Sequence, residues 1–125
     1  MLLVEDEPMV LEKTARFLER CGYSVLSARD GLEALTLFEV ERERIELVLA
    51  DVDLPAATGF ELYDGLRESG SACPVLFVSA LDVGRDFASV AMDPRVGLLS
   101  KPYRGLELGR ALRSLLDGPR VDSRS

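Results

Sequence analysis

The chain has 125 residues, 47% of them hydrophobic and 30% charged, and a formal charge of −7 from 22 acidic and 15 basic side chains. That balance excludes a disordered chain and does not favour nucleic acid or an anionic membrane surface as a partner of this domain. Histidine is absent, which removes the commonest general base, the commonest zinc ligand and any phosphohistidine step within the chain.

A single domain of this length can bury a core without staples. No apolar run reaches the length of a membrane span, and no basic leader precedes a signal core. The expectation is a soluble, cytoplasmic domain. Cys21 and Cys73 stand alone in different segments and are expected to be buried reduced thiols.

"MLLV" is a short apolar run ending at Glu5 and Asp6, and it reads as a buried strand. Pro8 suits a first helical turn, and Val10, Leu11, Thr14, Phe17, Leu18 and Cys21 recur at helical spacing up to Gly22. "YSVLSA" (23–28) favours a strand. Asp30 then caps a helix over 31–44, with Leu32, Leu35 and Phe38 on one face. "IELVLAD" (45–51) is a third strand, followed by the irregular "VDLPAAT". A helix is expected from Gly59 to Ser69, with Leu62 and Leu66 inward and Gly70 as its stop. "PVLFVSA" (74–80) reads as the clearest buried strand. Residues 82–95 are weak helix text, broken by Gly84 and Pro94. "VGLLS" (96–100) makes a short strand before Lys101 and Pro102. Leu108, Ala111, Leu112, Leu115 and Leu116 build a closing amphipathic helix.

The order is strand then helix, five times. Strands that lack polar alternation point to a parallel sheet covered by helices on both faces. In such a sheet functional groups collect beyond the carboxyl ends of the strands. There stand Glu5 and Asp6 after the first strand, Asp51 after the third, Ser79 after the fourth and Lys101 after the fifth.

Taken singly, each has an ordinary explanation as a turn acid, a loop hydroxyl or a surface lysine. Their joint occurrence at four strand ends is what marks a site. Carboxylates at ~4 Å repel by about 4 kcal/mol per pair at an effective dielectric near 20. Either their pKa values rise or a hard cation intervenes, and an all-oxygen set suits Mg²⁺ better than zinc. The chain has 13 Arg but only two Lys, Lys13 and Lys101, so an ammonium at a strand end hints at a compact charge for a phosphoryl or carboxylate oxygen.

"LVEDEP", "ADVDLPAATG", "FVSA" and "LLSKPY" together resemble the receiver (response-regulator) domains of two-component signalling, over nearly the whole chain and in the right order and spacing. The resemblance implies a flavodoxin-like (βα)5 doubly wound sheet, order 2-1-3-4-5, spanning residues 1–118 with a polar tail over 119–125. It implies that Asp51 accepts a phosphoryl group from a histidine kinase or histidine phosphotransfer domain. By the same resemblance Asp6 is a direct Mg²⁺ ligand, Glu5 acts through water, Asp51 and the backbone carbonyl of Asp53 complete the set, Ser79 bonds the phosphoryl group and Lys101 neutralises another of its oxygens. Such a domain promotes only its own phosphorylation and dephosphorylation and is not otherwise an enzyme. A hydroxyl drawn toward the acyl phosphate would bias the loop after the fourth strand and so switch a partner-binding surface.

Three positions depart from the commonest receiver text. Leu98 stands where most members carry an aromatic residue, which puts the usual switch readout in question. Thr58 precedes Gly59 where Asp or Asn is usual, and Asp53 adds an acid beside the acceptor.

Two rival functions come from other classes. "LVLADVD" also looks like the strand of haloacid-dehalogenase-type phosphatases, with Asp51 as nucleophile and Asp53 as acid/base, but no paired aspartates follow Lys101. The other rival is a non-phosphorylated docking module of the same fold. Arg104, Arg110 and Arg113 beside the last helix suggest a face for a kinase, a downstream protein or a second copy in a homodimer. The first strand starts at Met1 and the last helix ends near residue 118, so the expectation is a stand-alone receiver, or a piece of a hybrid sensor kinase or longer regulator, without a DNA-binding output.

Overall fold

The computed structural model describes residues 1–80 and 87–117. Five strands, β1 (Leu2–Val4), β2 (Leu26–Ala28), β3 (Val48–Asp51), β4 (Val75–Ser79) and β5 (Val96–Ser100), form one parallel sheet in the order β2-β1-β3-β4-β5. The helices are α1 (Pro8–Arg20), α2 (Gly31–Glu41), α3 (Gly59–Glu68) and, closing the described chain, α4 (Gly105–Asp117). This is the parallel sheet that the strand text predicts, in the doubly wound, flavodoxin-like order that the resemblance implies.

The pleat sends successive strand residues to opposite faces, and both faces are apolar. Leu2, Val4, Val48, Ala50, Val75 and Phe77 pack with Ala34 and Phe38 of α2 and Leu62 and Leu66 of α3. Leu3, Leu49, Leu76 and Val78 pack instead with Leu18 of α1 and Leu108 and Leu112 of α4. Each fully buried Leu or Phe contributes roughly 2–3 kcal/mol relative to exposure. Two hydrophobic layers therefore hold the sheet between them and leave its carboxyl ends open for chemistry.

Helix starts follow local chemistry. Pro8 occupies the first turn of α1, where a missing N–H costs nothing. Asp30 caps α2 by accepting from the N–H of Glu33 at 2.7 Å. Thr58 and Glu61 make a reciprocal capping box on α3, at 3.1 and 2.8 Å. Thr58, which stands where Asp or Asn is usual, thus serves as the cap of α3.

Several expectations need correction. The helix expected over 31–44 ends at Glu41 and tightens into a 3₁₀ turn over Arg42–Arg44. Leu32 is 58% exposed, because Ala34 and Phe38 define the inward face of α2. Cys21 is exposed and Cys73 half-buried, so neither is the fully buried thiol expected. The second strand is confined to Leu26–Ala28. Residues 82–86 of the weak helix text, and the tail over 119–125 with its boundary at 118, lie outside the described residues.

At the amino ends of β4 and β5 a polar network ties α3 to the segment before β5. Asp93 accepts from the Tyr63 hydroxyl at 2.7 Å, from Arg67 Nε at 3.1 Å and from the Arg95 N–H at 2.9 Å. Arg67 Nη1 also donates to the carbonyls of Ser71 and Cys73, and its guanidinium lies 4.7 Å from the Tyr63 ring centre.

Candidate phosphoacceptor site

The carboxyl ends of β1, β3 and β5 bring Glu5, Asp51 and Lys101 together. Asp51 is the last residue of β3, and its pairing with Val78 of β4 sets it beside the end of that neighbour. Lys101 follows β5, where Ser100 pairs with Ser79 and the Lys101 N–H donates to the Ser79 carbonyl at 2.8 Å. This register carries the lysine to the acid: Lys101 Nζ donates to Asp51 Oδ2 at 2.8 Å and lies 3.8 Å from Glu5 Oε1. The peptide between Lys101 and Pro102 is cis.

Both oxygens of Asp51 are held. Oδ2 accepts from Lys101, and Oδ1 accepts from the backbone N–H of Asp53 at 3.0 Å. Glu5 Oε2 accepts from the N–H of Glu7 at 3.1 Å. The last two are backbone contacts that residue identity alone does not announce.

The loop carrying these contacts is pinned from two sides. A Cβ on Gly59 would come within 2.7 Å of the Asp51 carbonyl, and one on Gly31 within 2.6 Å of Ala57. Inside the loop Ala56 takes φ of 68°, a left-handed conformation that costs a non-glycine residue roughly 1–2 kcal/mol.

The electrostatics are unbalanced. Glu5 and Asp51 are 6% and 9% exposed, and both lean on one ammonium. Burial, the largest cause, pushes the Glu5 carboxyl above its ordinary value. The Glu7 N–H and Lys101 pull it back, while the charges of Asp51 and Asp6 add to the rise. For Lys101, burial works downward, but the hydrogen bond to Asp51 and the charges of Asp51 and Glu5 outweigh it and raise its pKa. The lysine therefore stays an ammonium.

Other predicted residues are placed less tightly. Ser79 is buried at the end of β4. Asp6 and Asp53 are exposed side chains beside the pocket rather than members of a closed triad. Among the described residues, no three acidic, histidine or cysteine side chains converge closely enough to grip an ion alone. The donors still fit a hard divalent cation, since all are oxygens, two are buried, and a single lysine leaves their charge uncompensated. Mg²⁺ suits such a set because it keeps several waters and needs few protein ligands.

Thr14 and Tyr103 line a cavity of about 10 Å³ beneath Asp51 and Lys101. Thr14 reads in the sequence as one of the inward positions of α1, and Tyr103 as a packing residue. Leu98, paired with Phe77 in β5, is 36% exposed.

Comparison with known proteins gives one result throughout. The family model described as the response regulator receiver domain matches residues 1–113. The response regulator MprA of Mycobacterium leprae is 34% identical over 122 residues, covering 98% of this chain and 53% of that protein. The receiver domain of the hybrid histidine kinase CckA superposes with a TM-score of 0.76 at 34% identity, over 92% of this chain and 96% of that one. The receiver domain of the sensor histidine kinase PA1611 from Pseudomonas aeruginosa, solved with a magnesium ion in its active-site cleft, gives a TM-score of 0.78 at 29% identity, covering 93% and 95%. This chain spans about half the length of curated relatives such as MprA.

Proposed function

This chain belongs to the response regulator receiver family, and on that premise we propose that its phosphoacceptor is Asp51 and its donor the phosphohistidine of a histidine kinase or histidine phosphotransfer domain. The observation that carries the reading is the 2.8 Å contact of Lys101 Nζ with Asp51 Oδ2, made between a half-buried ammonium and a buried carboxylate at the ends of two strands.

In the transfer, an Asp51 oxygen bonds to phosphorus, the phosphorus–nitrogen bond of the donor breaks, and the imidazole leaves with its electron pair and takes up a proton. Catalysis of such a step is chiefly positioning and charge stabilisation. Lys101 and the Asp53 N–H fix the carboxylate plane. Lys101 then shares its charge with a phosphoryl oxygen, and Ser79 offers a hydroxyl to another. Glu5, Asp6, Asp51 and the Asp53 carbonyl would hold Mg²⁺, whose bound charge offsets that of the carboxylates and the incoming phosphoryl group. The domain acts by switching a partner-binding surface and resides in the cytoplasm.

The test is intact-protein mass after incubation with a small acyl-phosphate donor, with and without Mg²⁺, beside Asp51→Asn. The expected result is a gain of one phosphoryl group that needs Mg²⁺ and is lost in the variant. No gain from the small donor or from a phosphorylated kinase would overturn the reading in favour of a docking module. Continuous donor hydrolysis through Asp51 without accumulated phosphoprotein would favour the phosphatase-like alternative.

A further inference from the structure

Thr14 carries a half-buried hydroxyl with no part in the phosphoryl transfer. It sits in the middle of α1 and lines the cavity of about 10 Å³ beneath Asp51 and Lys101.

A threonine within a helix commonly returns its hydroxyl to the carbonyl four residues earlier. Thr36 of α2 does so, donating to the Leu32 carbonyl at 3.1 Å. The Thr14 hydroxyl makes no hydrogen bond among the described residues. Thr36 is exposed and Thr14 half-buried, so the hydroxyl with less access to solvent is the one without a protein partner. Withdrawing a hydroxyl from water without a partner is unfavourable, and an apolar side chain of the same shape would avoid that cost.

Lys101 is also short of acceptors. An ammonium carries three donors. Asp51 Oδ2 takes one at 2.8 Å, whereas Glu5 Oε1, at 3.8 Å, is too far for a hydrogen bond. Glu5, Asp51 and Lys101 line the same small cavity as Thr14 and Tyr103. A single water needs roughly 10–15 Å³ and about two to four polar partners, while cavities that stay dry are apolar. The volume here is on the scale of one water and no larger ligand, and two carboxylates, an ammonium and a hydroxyl surround it.

We propose that one ordered water binds in this cavity, accepting from Lys101 Nζ and bonded to the Thr14 hydroxyl, and that Thr14 is thereby a positioning residue for Lys101. Held from below, the ammonium keeps its place while its bond passes from Asp51 to a phosphoryl oxygen. The water site stands apart from the reading of Asp51 as phosphoacceptor, and the effect on transfer rests on that reading.

The test compares the full chain with Thr14→Val, which removes the hydroxyl and keeps the branched shape, and Thr14→Ser, which keeps the hydroxyl. Crystal structures read the site directly. Density for one water within about 3.2 Å of both the residue-14 hydroxyl and Lys101 Nζ is expected in the parent and in Thr14→Ser, and should be lost in Thr14→Val. The chain has only two lysines, so ¹⁵N-lysine labelling gives two ammonium signals, with exposed Lys13 as the internal control. The Lys101 ammonium protons should exchange with solvent about tenfold faster in Thr14→Val and at the parental rate in Thr14→Ser, with Lys13 unchanged. With a small acyl phosphate and Mg²⁺, Thr14→Val should gain its phosphoryl group about tenfold more slowly, and Thr14→Ser at the parental rate. A parent cavity without water, or a Thr14→Val chain that matches the parent in both Lys101 exchange and transfer, would overturn the proposal. A raised unfolding midpoint in Thr14→Val would mark the hydroxyl as unpartnered and overturn it as well. A parent that holds the water but takes no phosphoryl group would count against the reading of Asp51 and support the water site alone.

Discussion

Two polar clusters occupy opposite ends of the same sheet, and each pairs an acid with a cation. At the amino ends, Asp93 is met by Tyr63, Arg67 and the Arg95 N–H. At the carboxyl ends, Glu5 and Asp51 share Lys101. Burial pushes the Asp93 carboxyl upward, but its three donors outweigh that and hold it below its ordinary value. The same force at Glu5 is not outweighed, and its carboxyl is raised. An acid met by three donors stabilises the fold, whereas an under-compensated one holds charge in reserve for a ligand.

Substitution at the amino end tests this contrast most severely. Asp93→Ala leaves Arg67, itself half-buried, facing lost partners, and should lower the unfolding free energy by about 2 kcal/mol in urea titrations. An unchanged midpoint would remove the structural role assigned to the network. Mg²⁺ should act only at the other end. At a concentration about tenfold above its Kd it should stabilise the parent by about 1.4 kcal/mol. Asp51→Asn should lose most of that gain, as followed by thermal melts.

Glu5→Gln, measured without Mg²⁺, should raise stability near neutral pH by about 1 kcal/mol. The sign follows from linkage. A carboxyl raised in the folded state destabilises above its folded pKa, and that cost disappears below the ordinary value of 4.5. The gain from Glu5→Gln should therefore shrink as the pH falls through this window. The contribution of Asp93 persists there and is lost only below 3.8, as the pH falls through its depressed folded value. Parallel urea titrations from neutral pH downward would separate the two. The smallest effect belongs to the acceptor loop, where Ala56→Gly relieves a φ of 68° and should add about 0.5–1 kcal/mol to stability.

The two ends also differ in how far they can be read from sequence. Glu5, Asp51 and Lys101 were legible because each directly follows an apolar run, and parallel topology gathers strand ends whatever their separation in the chain. The Tyr63–Arg67–Asp93 network follows no such rule. Tyr63 and Arg67 share a helix face at i, i+4, but nothing local signals that Asp93, beyond β4, completes them. The misplacement of Leu32 has a related cause. Periodicity admits two apolar stripes on α2, and only packing against the sheet chooses the one with Ala34 and Phe38. The hold on Asp51 Oδ1 was hidden because its partner is the backbone N–H of Asp53, a group that residue identity does not announce.

The glycines at the starts of α2 and α3 have a consequence for how the site tolerates mutational drift. Gly31 touches no reacting group, yet the first atom of any side chain there would press on Ala57. Gly59 stands in the same relation to the carbonyl of Asp51 itself. A comprehensive substitution map scored by phosphorylation would therefore show an intolerant position on α2, far along the chain from the acceptor, flanked by permissive neighbours. Inheritance of the chemistry rests on two residues that contribute no functional group to it, only the room in which Asp51 is held.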